Sequence, residues 1–331
     1  MNNNDEGFLR LRSCADARMG GLIGLLVGDA LGVSFEFKPP NLLPLRDKIE
    51  MQPPLGFRKS HAGVPVGTWS DDGAQALCLL ASLADCGQFS LADFADRLVR
   101  WLDDGYMAVD RVVFDCGIQT AAAIGRLRDG ASPYSSGGES ESDNGNGSLM
   151  RVLPLAVWHT GSDEALVRDA HAQSLPTHAH SRSLVACAYT CLVARGYLSA
   201  KTDPWTCADQ CLEEIYNVWH DERERGGFLN ELEVLRRFPK TQPRGTGYVL
   251  DTIWSARKAL EEESFEHVAR RAILFGHDTD TTAAVACGLA GIRFGIEGIP
   301  VRWMARLRGF EIVEPLLARL IARPDKVTTG P

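Results

Sequence analysis

Gly20, Gly24, Gly28 and Gly32 recur at every fourth residue of an otherwise apolar stretch. At helical pitch this spacing lines them along one ridge. Glycine costs about 0.5–1 kcal/mol against alanine inside a helix, so four on one ridge need a compensating contact. A second backbone packed unusually close supplies it, and the segment from Ala17 to about Val33 is read as an interior helix with a tightly paired partner. The apolar run Leu22–Phe35 carries Asp29 and is too short to cross a bilayer, so no membrane span is expected.

Beyond this helix, prolines 39, 40, 44, 53 and 54 exclude a long helix and predict loop. Apolar residues then recur at helical spacing over 71–86, 90–103, 110–128, 149–160, 163–174, 181–199, 205–224, 228–236, 248–260, 264–275, 281–294 and 301–308. Few stretches alternate with period two. The expected fold is therefore all-α, a compact bundle of many short helices. With 331 residues, 45% of them hydrophobic, the chain can bury a substantial core. The predicted organisation is a flexible arm at 1–16, a body at 17–310 and a C-terminal helix and tail at 311–331. Within the body, 129–144 (DGASPYSSGGESESDN) lacks apolar residues and is expected to be a mobile surface loop.

Three segments carry chemistry. Ser70, Asp71 and Asp72 precede the helix at 71–86, where they could serve only as a cap. Asp278, Thr279, Asp280, Thr281 and Thr282 open an otherwise apolar helix, and five oxygen-bearing side chains exceed what a cap needs. Together the two clusters suit hard divalent cations, which would also keep neighbouring carboxylates ionised. Gly145-Asn146-Gly147-Ser148 can turn backbone amides toward an anion, although Asn-Gly pairs are also ordinary turn signals.

In chain order, GLLVGDALGVSFE (24–36), GTWSDDGAQ (67–75), GNGSLMRVLPLA (145–156), THAHSRS (177–183) and GHDTDTTAAVACGLAGIRFG (276–295) resemble the ADP-ribosylglycohydrolase family. This family includes dinitrogenase-reductase-activating glycohydrolases and ADP-ribosyl-acceptor hydrolases. The resemblance implies a multi-helix bundle with a central cleft holding two Mg²⁺ or Mn²⁺ ions. It makes Ser70, Asp71, Asp72, Asp278, Asp280 and Thr281 the metal set. Glu36, with the metal-bound Asp71 and Asp280, becomes a candidate for catalysis. Asn146, Gly147, Ser148, Met150 and His178 fall where the family holds pyrophosphate and ribose. Ser70 replaces the usual threonine and keeps the ligand oxygen, while Gly73 stands where threonine often follows the aspartates.

The implied reaction is hydrolysis of the bond between ADP-ribose and a modified protein side chain, with arginine favoured. Two other readings are a regulatory protein that blocks an ADP-ribosyltransferase by direct binding, and a two-metal phosphohydrolase. The balance of 35 basic against 43 acidic residues argues against nucleic-acid partners. Nine cysteines, an odd number, and a polar start without a secretory pattern lead to a cytoplasmic expectation.

Overall fold

The computed structural model describes residues 13–238 and 242–323, and among them the expectation of an all-α fold is met. The described residues form α1 (Cys14–Gly32), α2 (Asp71–Cys86), α3 (Leu91–Asp104), α4 (Ile118–Arg128), α5 (Leu153–Trp158), α6 (Asp163–Ser174) and α7 (Ser181–Leu198). The chain continues through α8 (Pro204–Asn217), α9 (Glu222–Arg237), α10 (Val249–Ala259), α11 (Phe265–Ile273), α12 (Thr279–Phe294), α13 (Val301–Met304) and α14 (Phe310–Ile321). Extended pairing among these residues is limited to isolated bridges, Gly138 with His178 and Gly145 with Tyr248. None of the helices is long and apolar enough to cross a membrane.

The glycine ridge explains the centre of the bundle. Helices α1 and α12 run antiparallel in direct backbone contact. A Cβ on Gly20 would lie 2.3 Å from the Gly291 carbonyl oxygen, on Gly24 2.3 Å from that of Cys287, and on Gly28 2.3 Å from that of Ala283. At the far end a Cβ on Gly32 would meet Asp280 Cα at 2.4 Å, and Thr279 Oγ1 donates to the Gly32 carbonyl at 2.8 Å. The ridge thereby places the acidic start of α12 against the end of α1, four residues before Glu36. Around this pair pack α2, α5, α10, α11 and α14, while α7 anchors α6, α8 and α9.

Several element boundaries differ from the sequence expectation. Helix α1 starts at Cys14 because Ser13 accepts from the Asp16 amide as its cap; residues 1–12 of the arm lie outside the described residues. The stretch read as helix from 110 is helical only from Ile118, since Asp110 and Arg111 hold left-handed backbone. The helix read over 205–224 ends at Asn217, and Asp221 then caps a separate α9 that reaches Arg237. The helix expected over 149–160 shrinks to six residues, and that over 301–308 to four. C-terminal to α14, residues 324–331 also lie outside the described residues.

In the segment 129–144, polar and backbone groups make the attachments that its composition lacks. Ser136 Oγ donates to the Pro176 carbonyl at 2.9 Å, the Gly137 amide to Leu175 at 3.0 Å, and Ala179 donates back to Gly138 at 2.8 Å. Arg182 further binds Glu141.

Candidate active site

Asp29 is the interior charge that the apolar run made conspicuous. It is wholly buried in α1 and accepts from the amides of Ser70 (2.9 Å) and Gly73 (2.7 Å), which fixes the start of α2. Burial pushes its carboxyl up to about 7 against the opposing pull of these amides. Ser70 caps α2 by accepting from the Asp72 amide, and its hydroxyl donates to Asp72 Oδ2 at 3.2 Å. The cap and the acidic cluster are thus the same residues. From α12, Thr281 Oγ1 donates to the same Asp72 oxygen at 3.4 Å and joins the two clusters.

At the head of α12, Asp278 occupies the cap position yet makes no side-chain cap bond. Its Oδ2 accepts from Asn146 Nδ2 at 2.7 Å instead, which links the metal-type cluster to the glycine loop. Carboxylate oxygens of Glu36, Asp278 and Asp280 all lie within 4.8 Å of one another. Burial, followed by the charge of neighbouring carboxylates, holds Asp71, Asp72 and Asp280 well above the usual range. Among the described residues, Asp72 Oδ1 and Asp280 Oδ1 are buried without a donor. A dense set of hard oxygens, two of them without a donor among the described residues, fits divalent cations.

Glu36 is held from several directions. His61 Nε2 lies 2.6 Å from Glu36 Oε2, while Ser60 Oγ donates to the Glu36 carbonyl at 2.7 Å. Burial pushes the Glu36 carboxyl up to about 7, with the His61 bond acting in the opposite sense. The Glu36 bond raises the His61 pKa in turn. The His61 ring sits between Phe37 and Phe114, with centroids at 5.7 and 5.2 Å, and its Nε2 is 4.0 Å from Asp115. Phe37 and His277 both adopt left-handed backbone (φ 57° and 60°), which is costly for such residues. Paired main-chain bonds stabilise them: Phe37 donates to the His277 carbonyl at 2.6 Å, and His277 to that of Lys38 at 2.7 Å.

These groups open into a cleft of about 850 Å³. Glu36, Asp71, Asp115, Asp278, Asp280 and Thr281 line its acidic side, with Asn146, Gly147, Met150 and His178 on its wall. Ser70 and Asp72 are buried outside the cleft lining. Ser148 is also absent from it: its side chain is fully buried, with the hydroxyl 2.7 Å from Ser174 Oγ. The loop's available donor is instead the amide of Gly147, which lines the cleft and has no acceptor among the described residues. This loop, rather than a helix end, forms the anion-type surface, because α5 begins only at Leu153.

Sequence patterns alone did not single out His61, Asp115 or the strap at 244–247. Asp251 shapes that strap by accepting from Arg244 (3.0 Å) and Thr246 (2.7 Å) amides. The strap's carbonyls receive the Asp278 amide, at Gly245, and the Asn146 amide, at Gly247. Gly-Thr-Gly at 245–247 is its sequence signal, but nothing local reveals the long-range pairing.

The sequence profile described as ADP-ribosylglycohydrolase matches residues 12–329. The chain is 30% identical over 329 residues to the ADP-ribosylarginine hydrolase Tri1 of Pseudomonas putida (strain GB-1), covering 97% of this chain and 84% of that one. It is 28% identical to the ADP-ribosyl-[dinitrogen reductase] glycohydrolase of Rhodospirillum rubrum, over 89% of this chain and 91% of that one. A solved structure named an ADP-ribosylglycohydrolase-related protein complex superposes with a TM-score of 0.73 at 30% identity, covering 93% of this chain and 98% of that one. With the motif order, the helical bundle and the profile in agreement, the chain belongs to the ADP-ribosylglycohydrolase family and is a glycosidic-bond hydrolase.

Proposed function

We propose that this chain removes ADP-ribose from a modified protein side chain, with arginine the favoured linkage, at a site holding two Mg²⁺ or Mn²⁺ ions. The observation that carries the reading is the convergence of Glu36, Asp71, Asp278 and Asp280 on a cleft whose other wall carries Asn146 and the Gly147 amide, which has no acceptor among the described residues. Acid and amide sides suit the two ends of one ligand: a ribosyl centre on cations and a pyrophosphate on N–H donors.

Ser70, Asp71, Asp72, Asp278, Asp280 and Thr281 would hold the cations. When bound, these ions orient the ribose hydroxyls and lower the pKa of the attacking water. Bond cleavage develops oxocarbenium character at the anomeric carbon, which the surrounding carboxylates favour electrostatically. Glu36 is assigned the proton-handling role, because it lines the cleft beside the Asp278 and Asp280 oxygens with its own carboxylate held by His61 at 2.6 Å. Asn146 holds Asp278 in place, and Met150 and His178 complete the wall. The acidic side also suits a cationic guanidinium leaving group, and relatives from Pseudomonas putida and Serratia proteamaculans are named ADP-ribosylarginine hydrolases.

The test is incubation of the Mg²⁺-loaded protein with ADP-ribosyl-arginine and ADP-ribosyl-serine peptides. Release of ADP-ribose from the arginine peptide, abolished by chelation and restored by Mg²⁺ or Mn²⁺, is expected. Faster turnover of the serine peptide would overturn the linkage, and full activity after exhaustive chelation would overturn the metal role.

A further inference from the structure

We propose that Arg151 and Thr177 are positioning residues that lock His178 as the neutral Nε2–H tautomer, giving the cleft wall a fixed donor for a pyrophosphate or ribose oxygen. The ligand class rests on the function proposed above; the tautomer follows from a chain of buried groups. Arg151 is fully buried and donates through Nη1 to Gln75 Oε1 at 2.7 Å and through Nη2 to the Gln173 carbonyl at 3.0 Å. The same Nη2 lies 2.7 Å from Thr177 Oγ1. A guanidinium has no acceptor, so Thr177 must accept there.

The Thr177 hydroxyl still has a proton to place, and the residue is wholly buried. His178 Nδ1, 2.9 Å away, is its one acceptor among the described residues. The opposite assignment, Nδ1–H donating to Thr177, strands that hydroxyl proton at the full cost of an unpaired buried donor. Nδ1 is therefore bare and Nε2 carries the hydrogen. A doubly protonated ring is opposed by burial and then by the Arg151 charge behind it, which together push the imidazole down to about 3.

Nε2 has no hydrogen-bond partner among the described residues and lies against the glycine loop. A Cβ on Gly147 would sit 3.3 Å from it and one on Gly145 3.4 Å. The backbone of His178 is also anchored, since Ser174 Oγ donates to its carbonyl at 2.6 Å. One imidazole N–H and the Gly147 amide thus face one region of the cleft, neither with an acceptor among the described residues. Such a group of donors recognises an oxygen-rich anion.

Nitrogen NMR of histidine-labelled protein tests the tautomer directly, and calorimetry with ADP-ribose on the Mg²⁺-loaded protein tests its use. The wild type should show His178 with Nε2 protonated and Nδ1 bare. Thr177→Val, which keeps shape but loses the hydroxyl, should mix the tautomers and weaken ADP-ribose binding about tenfold, while Thr177→Ser restores both. Metal affinity should stay near wild type in both variants, while Thr177→Val alone should lower the melting temperature, because buried Arg151 Nη2 then loses an acceptor. An Nδ1–H signal in the wild type, unchanged binding in Thr177→Val, or failure of Thr177→Ser to rescue would overturn the proposal. Loss of metal affinity in parallel with ADP-ribose affinity would also overturn it, by showing a general distortion of the site. If the wild type binds no ADP-ribose, the proposed function fails and the NMR result alone decides the tautomer.

Discussion

At the scale of single residues, the buried carboxyls set how this protein responds to pH. Asp29 and Glu36 are pushed up to about 7, whereas unfolded carboxyls titrate near roughly 4. Between those values the folded chain keeps protons that the unfolded chain has released, so raising the pH favours unfolding. Their stabilising contribution is complete below the unfolded value and is lost as pH rises through about 7. Metal-free protein is therefore expected to melt at progressively lower temperature from acidic to mildly alkaline buffer, and saturating Mg²⁺ should flatten that slope. Calorimetric melts with chelator and with Mg²⁺ check both halves; a chelated protein that gains stability with rising pH contradicts the assignment. The His61 bond to Glu36 makes a second residue-scale prediction. His61→Phe retains a ring between Phe37 and Phe114 but no donor, so kcat should fall about tenfold with little change in KM, and His61→Gln should recover most of it. Equal activity of His61→Phe and wild type would remove His61 from any role in holding Glu36.

At the scale of elements, the four glycines of α1 make a close helix partner legible in the sequence, because nothing else offsets their cost in a helix. The identity of that partner is not legible from α1 alone, although the small-residue helix after Asp280 has matching character. The acidic and glycine-loop motifs can be read locally because their chemistry is contained in a few consecutive residues. His61, Asp115 and the 244–247 strap cannot, since each acquires meaning only from groups far away in sequence. Helix ends escape pattern reading where one residue decides them: Asp221 starts α9 by capping Glu224, and left-handed Asp110 and Arg111 delay α4. The packing argument predicts that Gly28→Ala, whose new Cβ would lie 2.3 Å from the Ala283 carbonyl oxygen, destabilises the fold by about 1–3 kcal/mol and weakens metal binding by shifting the start of α12. Gly226→Ala in α9 meets nothing within 4 Å and should instead stabilise by about 0.5–1 kcal/mol. Urea unfolding of the pair checks the contrast, and similar effects at both positions would refute the role of the ridge.

At the scale of the whole molecule, the family profile begins at residue 12, so residues 1–11 of the proposed arm precede the matched region. Deleting residues 1–12 is expected to leave turnover of a small ADP-ribosyl peptide within about twofold of wild type. If the arm docks on an ADP-ribosyltransferase, the same deletion should abolish inhibition of that enzyme, while Asp280→Ala should spare inhibition and reduce hydrolysis by about a thousandfold or more through loss of metal. Peptide hydrolysis lost as fully in the truncated protein as in Asp280→Ala would instead place the arm in the active site. The central claim concerns which bond the cleft breaks, and mass spectrometry of the products from an ADP-ribosyl-arginine peptide tests it most directly. Intact ADP-ribose and an unmodified peptide are the predicted products, and both should vanish in Asp280→Ala. AMP together with a phosphoribosylated peptide would show cleavage at the pyrophosphate and contradict the account.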